Sequence, residues 1–269
     1  MRVVKGLLDR SLELLGLLAR DARWHRLSDV AESLSLQKGP THRLLAELSQ
    51  LGWVEQDSST DRYRLTLKLS LLGQQFLHNT GLPGLVQPIL DDVAKHCGEL
   101  VRLTMVQEGA LHWFASSQGA PPGLMYQPAM SGQPRLHATA NGKAWLATMG
   151  DEDATRLALH GGMGRKGAGS SKAIATVDGL LRELALTRRR GYGLSVEEAE
   201  PGVKAIAIAI PSIDAQPAVG TMSIAGPLMR MGKERDRTLH ALLREAGEKL
   251  RISWPHTQVV VAPRTRAAA

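Results

Sequence analysis

Apolar residues recur at helical spacing from the start of the chain. They define one face of a predicted first helix over residues 6–19, formed by Leu8, Leu12, Leu15 and Ala19. Ser28 is predicted as the N-cap of a short second helix that ends near Leu34, since the acidic Asp29 follows it in the first turn. The pattern therefore begins with one full helix and one short helix.

A third predicted helix starts at Pro40, whose fixed φ suits a first helical position, and ends before Gly52. Its apolar face is Leu44, Leu45, Leu48 and Leu51. Residues 53–55 and 62–65 are predicted strands, and the turn-rich segment 57–61 between them indicates a hairpin. Helix, short helix, turn, helix and hairpin in this order predict a winged helix-turn-helix domain over residues 1–66.

Residues 67–82 are predicted to form a linker helix, because the helical pattern continues to a glycine- and proline-rich break at 80–84. The pattern after the break alternates strands and helices. Predicted helices are 85–96, 141–149, 151–159, 177–190 and 233–251, and predicted strands are 100–106, 111–116, 203–210 and 219–225. Antiparallel hairpins with flanking helices predict an α+β sensor domain over residues 83–254, followed by a disordered tail over 255–269.

Composition narrows the function classes only slightly. The formal net charge is +7, but residues 1–77 hold 11 Lys and Arg against 9 Asp and Glu, a net +2, so basicity alone argues weakly for DNA. The chain has no apolar run long enough for a membrane span and no secretory signal pattern at its start. The single cysteine, Cys97, fits a reducing cytoplasm and is predicted to be a buried core residue. We therefore expect a cytoplasmic protein that makes no membrane contact.

The candidate DNA-reading residues lie at the start of the third helix, because the second helix of this motif enters the major groove with its N-terminal residues. They are Lys38, Thr41, His42 and Arg43. Arg43 suits guanine, Thr41 a base or a thymine methyl, and Lys38 a phosphate. Arg62 and Arg64 on the wing are predicted to reach the backbone or the minor groove. The alternative is that each is a solvated surface charge, or that His42 packs between helices.

The recognition segment and several later segments of the chain resemble the IclR family of transcriptional regulators. The matching segments are 34–38 with 41–45, Arg135–Ala147, Arg190–Gly193 with Glu197–Ala207, and Ser223–Pro227. The resemblance implies a winged helix, a linker helix and a GAF-like effector domain. It also implies a cytoplasmic homodimer or homotetramer that binds palindromic double-stranded operator DNA and responds to a small carboxylate or aromatic metabolite.

Matching positions in the family imply an effector site. The implied residues are Ala140 and Asn141 at a helix N-terminus, which favours an anion, with Val203, Ala205 and Ser223 from strands. Tyr126 and His137 are added as lining residues. The chain departs from the family pattern at Gly39-Pro40, where Ser-Thr is usual, and at Ser35, where Gly is usual. It departs again at Ala205, where a polar side chain is common, which leaves the identity of the ligand open.

Other patterns point away from catalysis. The GxGxxG spacing at residues 162–167 follows a helical pattern rather than a strand, so a mobile loop is expected and no cofactor is predicted. The chain lacks an HExxH motif, a zinc-finger cysteine set and a GxSxG elbow, so no metal site and no catalytic residues are predicted. Residues 188–190 are expected to complement a helix dipole, and Glu197, Glu198 and Glu200 to stay solvated. The rival hypothesis is a metabolite-binding protein or enzyme built on the sensor domain.

Overall fold

The computed structural model describes residues 6–123, 125–128, 132–165, 167–212 and 218–253. The chain divides into two compact units, Met1–Gly81 and Leu82–Ala269. Within the described ranges no helix is both long and apolar enough to cross a membrane. The tail predicted to be disordered, residues 255–269, lies outside the described residues.

The first unit is a winged helix-turn-helix. Its elements are α1 (Leu7–Leu18), α2 (Leu27–Ser33), α3 (Lys38–Gln50), β1 (Val54–Gln56), β2 (Tyr63–Leu65) and α4 (Lys68–Thr80). Strands β1 and β2 pair antiparallel with Glu55 opposite Arg64, and they form the predicted hairpin. The order of elements predicted from the sequence is confirmed.

The core of this unit corrects most of the apolar face predicted for α1. Leu14 and Leu18 are the buried residues of α1 in the core with α2, α3 and the hairpin, and of the predicted residues only Leu15 packs against this core, partly buried. Leu8 and Leu12 are 71% and 60% exposed. Helix α1 is apolar on two sides. The side of Leu14 and Leu18 packs into the core, and the side of Leu8 and Leu12 stays exposed in the single chain.

Two helix starts also differ from the prediction. Arg26, not Ser28, occupies the N-cap position of α2, and the Ser28 hydroxyl donates to the Asp29 carboxylate instead. Helix α3 begins at Lys38, so Pro40 is its third residue rather than its first. This position is still compatible with proline, because the first N–H groups of a helix have no partner within it.

The second unit is an α+β domain. Its elements are α5 (Leu82–Cys97), β3 (Leu100–Gln107), β4 (Ala110–Gln118), α6 (Ala140–Leu146), α7 (Asp151–His160), α8 (Val177–Arg190), β5 (Gly193–Val196), β6 (Val203–Ile210), β7 (Gly220–Pro227), a 3-10 turn (Lys233–Arg235) and α9 (Asp236–Ser253). The antiparallel sheet has the strand order β4-β3-β7-β6-β5. The short strand β5 was not predicted, and α6 is shorter than the predicted helix 141–149.

The two faces of this sheet differ in chemistry because successive side chains on a strand point to opposite sides. One face is aliphatic, including Val101, Ile206 and Met222, and packs with residues of α5 and α9. Cys97 lies in the same core, as predicted. The opposite face, here called the polar sheet face, consists of Arg102, Thr104, Ala205, Ala207, Thr221 and Ser223. Helix α6 packs on part of it through Ala140 and Ala144.

Candidate functional site

Helix α3 presents an unpartnered polar surface at its start. Lys38, His42 and Arg43 are all exposed, and none of their side chains forms a hydrogen bond or ion pair with the residues that the structure describes. The leucines of the same helix turn the other way and pack into the core. The side chains that a DNA duplex would meet are therefore free to bond it.

Thr41 does not belong to this surface. Its side chain is fully buried, and its hydroxyl donates to the carbonyl of Gln37 over 2.9 Å. The burial argues against the predicted base contact. The preceding turn contains Ser35 at φ 54°, in the left-handed region, which explains why the family usually has glycine there.

The two wing arginines are not equivalent. The Arg64 guanidinium donates to Glu55 over 2.5 Å and lies 4.3 Å from the ring centroid of Trp24. Arg62 is partly exposed, and no side-chain bond joins it to the described part of the chain. Two carboxylates, Asp57 and Asp61, flank the wing turn. Within the wing Arg62 is thus the better placed of the two arginines for a phosphate contact.

We predict that Asp57 titrates far below an ordinary aspartate. Its carboxylate accepts hydrogen bonds from the amide and hydroxyl of Ser59 and from the hydroxyl of Thr60, which lower its pKa to about 2. A depressed carboxyl pKa stabilises the fold above the unfolded pKa of about 3.9, and this contribution is lost as the pH falls towards 2. A carboxyl-carbon NMR titration measures it. Ser59→Ala should raise the value, whereas a wild-type midpoint near 3.9 would show that the turn is not closed by these bonds.

The polar sheet face contains a buried hydrogen-bond chain. The hydroxyls of Thr104 and Thr221 lie 2.6 Å apart, and the Asn141 amide donates to Thr221 over 2.8 Å. Asn141, predicted as an effector residue, therefore fixes α6 to the sheet. Thr139 caps α6 by accepting the Gly142 N–H, which leaves fewer free N–H groups at Ala140 for an anion than the prediction assumed.

His137, three residues before α6, has an unused acceptor. Its Nε2 lies 2.8 Å from the carbonyl of Ala168, which can only accept, so Nε2 carries the proton. Burial lowers the pKa of His137, which favours the neutral ring. Its buried Nδ1 has no partner within the described residues. A ligand hydroxyl could donate to it.

The other predicted effector residues are spread along the sheet. Ser223 is fully buried with an unpartnered hydroxyl, and Ala205 is partly buried on β6. Val203 pairs with Pro227, about 13 Å along β7 from Ser223 at the usual rise per residue. The Tyr126 hydroxyl donates to Glu200 over 2.7 Å. The structure thus places Ser223 beside the polar chain and Val203 away from it.

Three further residues, Arg102, Trp113 and Glu200, were not predicted as site residues from the sequence. The Arg102 guanidinium lies 3.9 Å from the ring centroid of Trp113 and is influenced by the charge of Glu200. Arg102 could have been found from the sequence, because it is a charged residue within the otherwise apolar start of β3. Charged residues are rarely buried in a strand unless they have a partner or a function.

In the acidic cluster of the β5–β6 loop, Glu200 is exposed as predicted, whereas Glu197 and Glu198 are half-buried and bonded. Lys143, 1% exposed, donates to the carbonyl of Leu194 and over 2.6 Å to Glu198. Glu197 is bonded by Lys172 and by the amide of Gly202. Burial raises the pKa of Glu198, although the ammonium of Lys143 opposes the shift. These contacts fasten α6 to the loop that carries Glu200.

Two structural interpretations are confirmed. Arg188 donates to the carbonyls of Ala147 and Met149, and Arg190 bonds Glu183, so these cations serve the fold at the end of α8. The glycine-rich segment 162–167 follows α7, not a strand, as its pattern indicated. A dinucleotide loop would need a strand before it and a helix after it.

A groove of about 470 Å³ lies elsewhere in the second unit. Its lining includes Thr187, Tyr192, His240 and Arg244, from α8, α9 and the residues between α8 and β5. It contains none of the predicted effector residues. We therefore take the polar sheet face as the candidate ligand site because of its buried polar groups, and not this groove on account of its volume.

A winged helix-turn-helix with a free basic surface, followed by an α+β domain, defines a DNA-binding transcriptional regulator. The model of the IclR helix-turn-helix domain matches residues 7–58, and that of the bacterial transcriptional regulator IclR C-terminal domain matches residues 74–252. The chain belongs to the IclR family, which is a family of regulators and not of enzymes.

Relatives extend over nearly the whole chain. The glycerol operon regulatory protein of Streptomyces coelicolor is 37% identical over 234 residues, 84% of this chain and 87% of that protein. The transcriptional repressor IclR of Escherichia coli K12 is 29% identical over 250 residues, 92% and 89% of the two chains. An IclR homologue from Microbacterium hydrocarbonoxydans, solved with 4-hydroxybenzoate, has a TM-score of 0.71 at 21% identity and covers 92% of this chain and 98% of its own.

Proposed function

We propose that this regulator contacts operator DNA through Lys38, His42 and Arg43, with Arg62 on the phosphate backbone. The observation that carries the proposal is the exposure of three unpartnered polar side chains on the helix that this motif places in the major groove. Thr41 is left out because it is buried.

Selection of bound duplexes from a random library tests this proposal. We expect enrichment of an inverted repeat whose halves lie about one helical turn apart, since two recognition helices of a symmetric dimer read two half-sites. Selection with the Arg43→Ala variant should weaken one base preference in each half. A library that shows no enrichment after repeated rounds would contradict the proposal.

The partner we propose is a second copy of the chain, as a homodimer or a homotetramer. In the single chain α4 buries none of its residues, although Leu71, Leu72 and Phe76 line it. Leu8 and Leu12 of α1 are exposed as well. Apolar side chains in such number are unusual on the surface of a monomer, and an inverted-repeat operator requires two copies.

We predict that charge on these helices lowers the oligomer mass. Leu12→Glu combined with Phe76→Glu should shift the protein to monomer at micromolar concentration, because each carboxylate would have to be desolvated in the interface. Light scattering after gel filtration measures the mass. Leu159→Glu, on an exposed leucine of α7, is the control and should leave the mass unchanged. A wild-type monomer would contradict the prediction.

The effector we propose is a small carboxylate or aromatic metabolite bound on the polar sheet face. The buried Ser223 hydroxyl, unpartnered within the described residues, supports a polar ligand there, and His137 Nδ1 is a second such atom near the start of α6. The homologue solved with 4-hydroxybenzoate supports this class of compound. Binding would alter DNA affinity only through different affinities for two states of the protein, and we place this regulation in the cytoplasm. No observation in the described residues favours an enzyme or carrier built on this unit.

A further inference from the structure

Arg102 is a buried cation that lacks a matching anion among the residues that the structure describes. Its side chain rises from the middle of β3, and the residue is 8% exposed. Its Nε has no hydrogen-bond partner, and the guanidinium forms no ion pair with any residue that the structure describes. An arginine taken out of water normally gains bonds that replace its hydration. A negatively charged group bound here would supply the hydrogen bonds and the charge that the buried guanidinium lacks.

The surroundings of Arg102 leave one direction for such a group. The Cζ atom of Arg102 lies 3.9 Å from the ring centroid of Trp113, so the indole occupies one side of the guanidinium. Ser223 stands opposite Arg102 on β7, on the same side of the sheet, and its buried hydroxyl also lacks a partner. Paired residues on neighbouring strands lie about 5 Å apart, within reach of one small ligand.

Glu200 is the carboxylate whose charge acts on Arg102 within the described residues. It contributes to the electrostatic environment of Arg102, yet its carboxylate accepts the Tyr126 hydroxyl instead of forming an ion pair with the guanidinium. Burial together with this hydrogen bond raises the pKa of Tyr126, so the phenol keeps its proton and remains the donor. Burial lowers the pKa of Arg102, as expected for a cation that is poorly compensated.

We propose that Arg102 is the residue by which this regulator selects a carboxylate effector, with the Ser223 hydroxyl as second contact and Glu200 as a competing charge. A carboxylate accepts two parallel N–H bonds from a guanidinium, which suits a planar donor already held by a tryptophan. A phosphate dianion fits less well, because one arginine beside Glu200 cannot balance two charges. The inference rests on the proposed effector role of this face and names the residue that sets its specificity.

Thermal denaturation of the full chain with simple probes tests this proposal. Sodium acetate and sodium benzoate are compared with acetamide and benzamide at constant ionic strength, with inorganic phosphate as a further arm. We expect a carboxylate to raise the Tm and its amide not to do so. Arg102→Met should fold with an unchanged or higher Tm and lose the response. Arg182→Met removes an exposed arginine of α8 and should retain it.

Calorimetry with the stabilising carboxylate gives the size of each contribution. Arg102→Met should weaken binding by about 10-fold to 100-fold, since hydrogen bonds to charged groups are the strong ones, and Ser223→Ala by about 3-fold to 10-fold. Glu200→Gln keeps an acceptor for Tyr126 but removes the competing charge, so it should tighten binding.

Three results would overturn the proposal. They are a wild-type protein that neither carboxylate stabilises, a carboxylate response that survives Arg102→Met, and stabilisation by phosphate that exceeds that by both carboxylates. If the amides stabilise wild type and Arg102→Met alike while operator binding stays specific, the effector site stands and only the role of Arg102 fails. If operator binding itself is absent, the failure lies in the proposed function.

Discussion

Gly193→Ala is expected to lower the free energy of unfolding by roughly 3 kcal/mol, the upper end of the range for overpacked cores. A Cβ at this position would lie 2.2 Å from the carbonyl oxygen of Ala140 and 2.8 Å from the amide of Ala144. Both atoms are backbone atoms of α6, so no side chain can turn away to make room. The helix must move off β5 or the strand must bend.

Thermal denaturation followed by tryptophan fluorescence measures this loss. For a domain of this size we expect a decrease in Tm of about 6–12 °C. Gly84→Ala is the matched control, because its added methyl group meets no atom within 4 Å and alanine favours a helix. The control should be neutral or stabilising. A Gly193→Ala protein as stable as wild type would show that α6 does not rest directly on the sheet.

Arg43→Ala is expected to cost about 1–3 kcal/mol of binding to the true operator and to relax the preference at one base pair in each half-site. Arg43 is exposed on the same face of α3 as Lys38 and His42, free of partners among the described residues. Arginine reads guanine with two hydrogen bonds, and alanine keeps neither of them.

Lys38→Ala serves as the contrasting variant. It should weaken binding to all duplexes alike and reduce the slope of affinity against salt by about 1, because a phosphate contact is blind to sequence. Arg182→Ala removes the same charge as Arg43→Ala from the second unit and should change neither property. Identical losses for Arg43→Ala on operator and scrambled duplexes would mean that Arg43 touches only phosphate.

The helix-turn-helix could be predicted from the sequence because its signals are local. Leucine spacing, Gly52 after α3 and the polar turn of the wing each define an element without reference to distant residues. The burial of Thr41 could also have been predicted from its spacing to the leucines of α3. Thr41 lies three and four residues before Leu44 and Leu45, which places it on the leucine face of α3, and the structure buries it there.

The face of α1 that is buried could not be predicted in the same way. Leucines occupy two sides of this helix, and spacing within one helix does not tell which side meets the core. The structure selects the side of Leu14 and Leu18, which contact the partners supplied by α2, α3 and the hairpin. The remaining apolar side belongs to the surface that we propose a second copy of the chain covers.

The proposed ligand site depends on contacts between residues far apart in sequence. Because side chains alternate along β3, Arg102 points to the other face of the sheet from Val101 and Leu103. Only the folded structure shows that the face carrying Arg102 is also buried. Ser223 becomes its neighbour through pairing of β3 with β7. The family resemblance pointed to Ser223 and Asn141 and did not include Arg102.

The most direct test of a sequence-specific regulator is fluorescence anisotropy of the wild-type protein over a salt series, with its own upstream intergenic duplex and a scrambled duplex of equal length. We expect the intergenic duplex to bind at least about 1,000-fold more tightly at physiological salt, the low end for specific DNA recognition. Equal affinities that fall equally steeply with salt would mean that only the basic charge of the protein binds DNA, and would contradict the account.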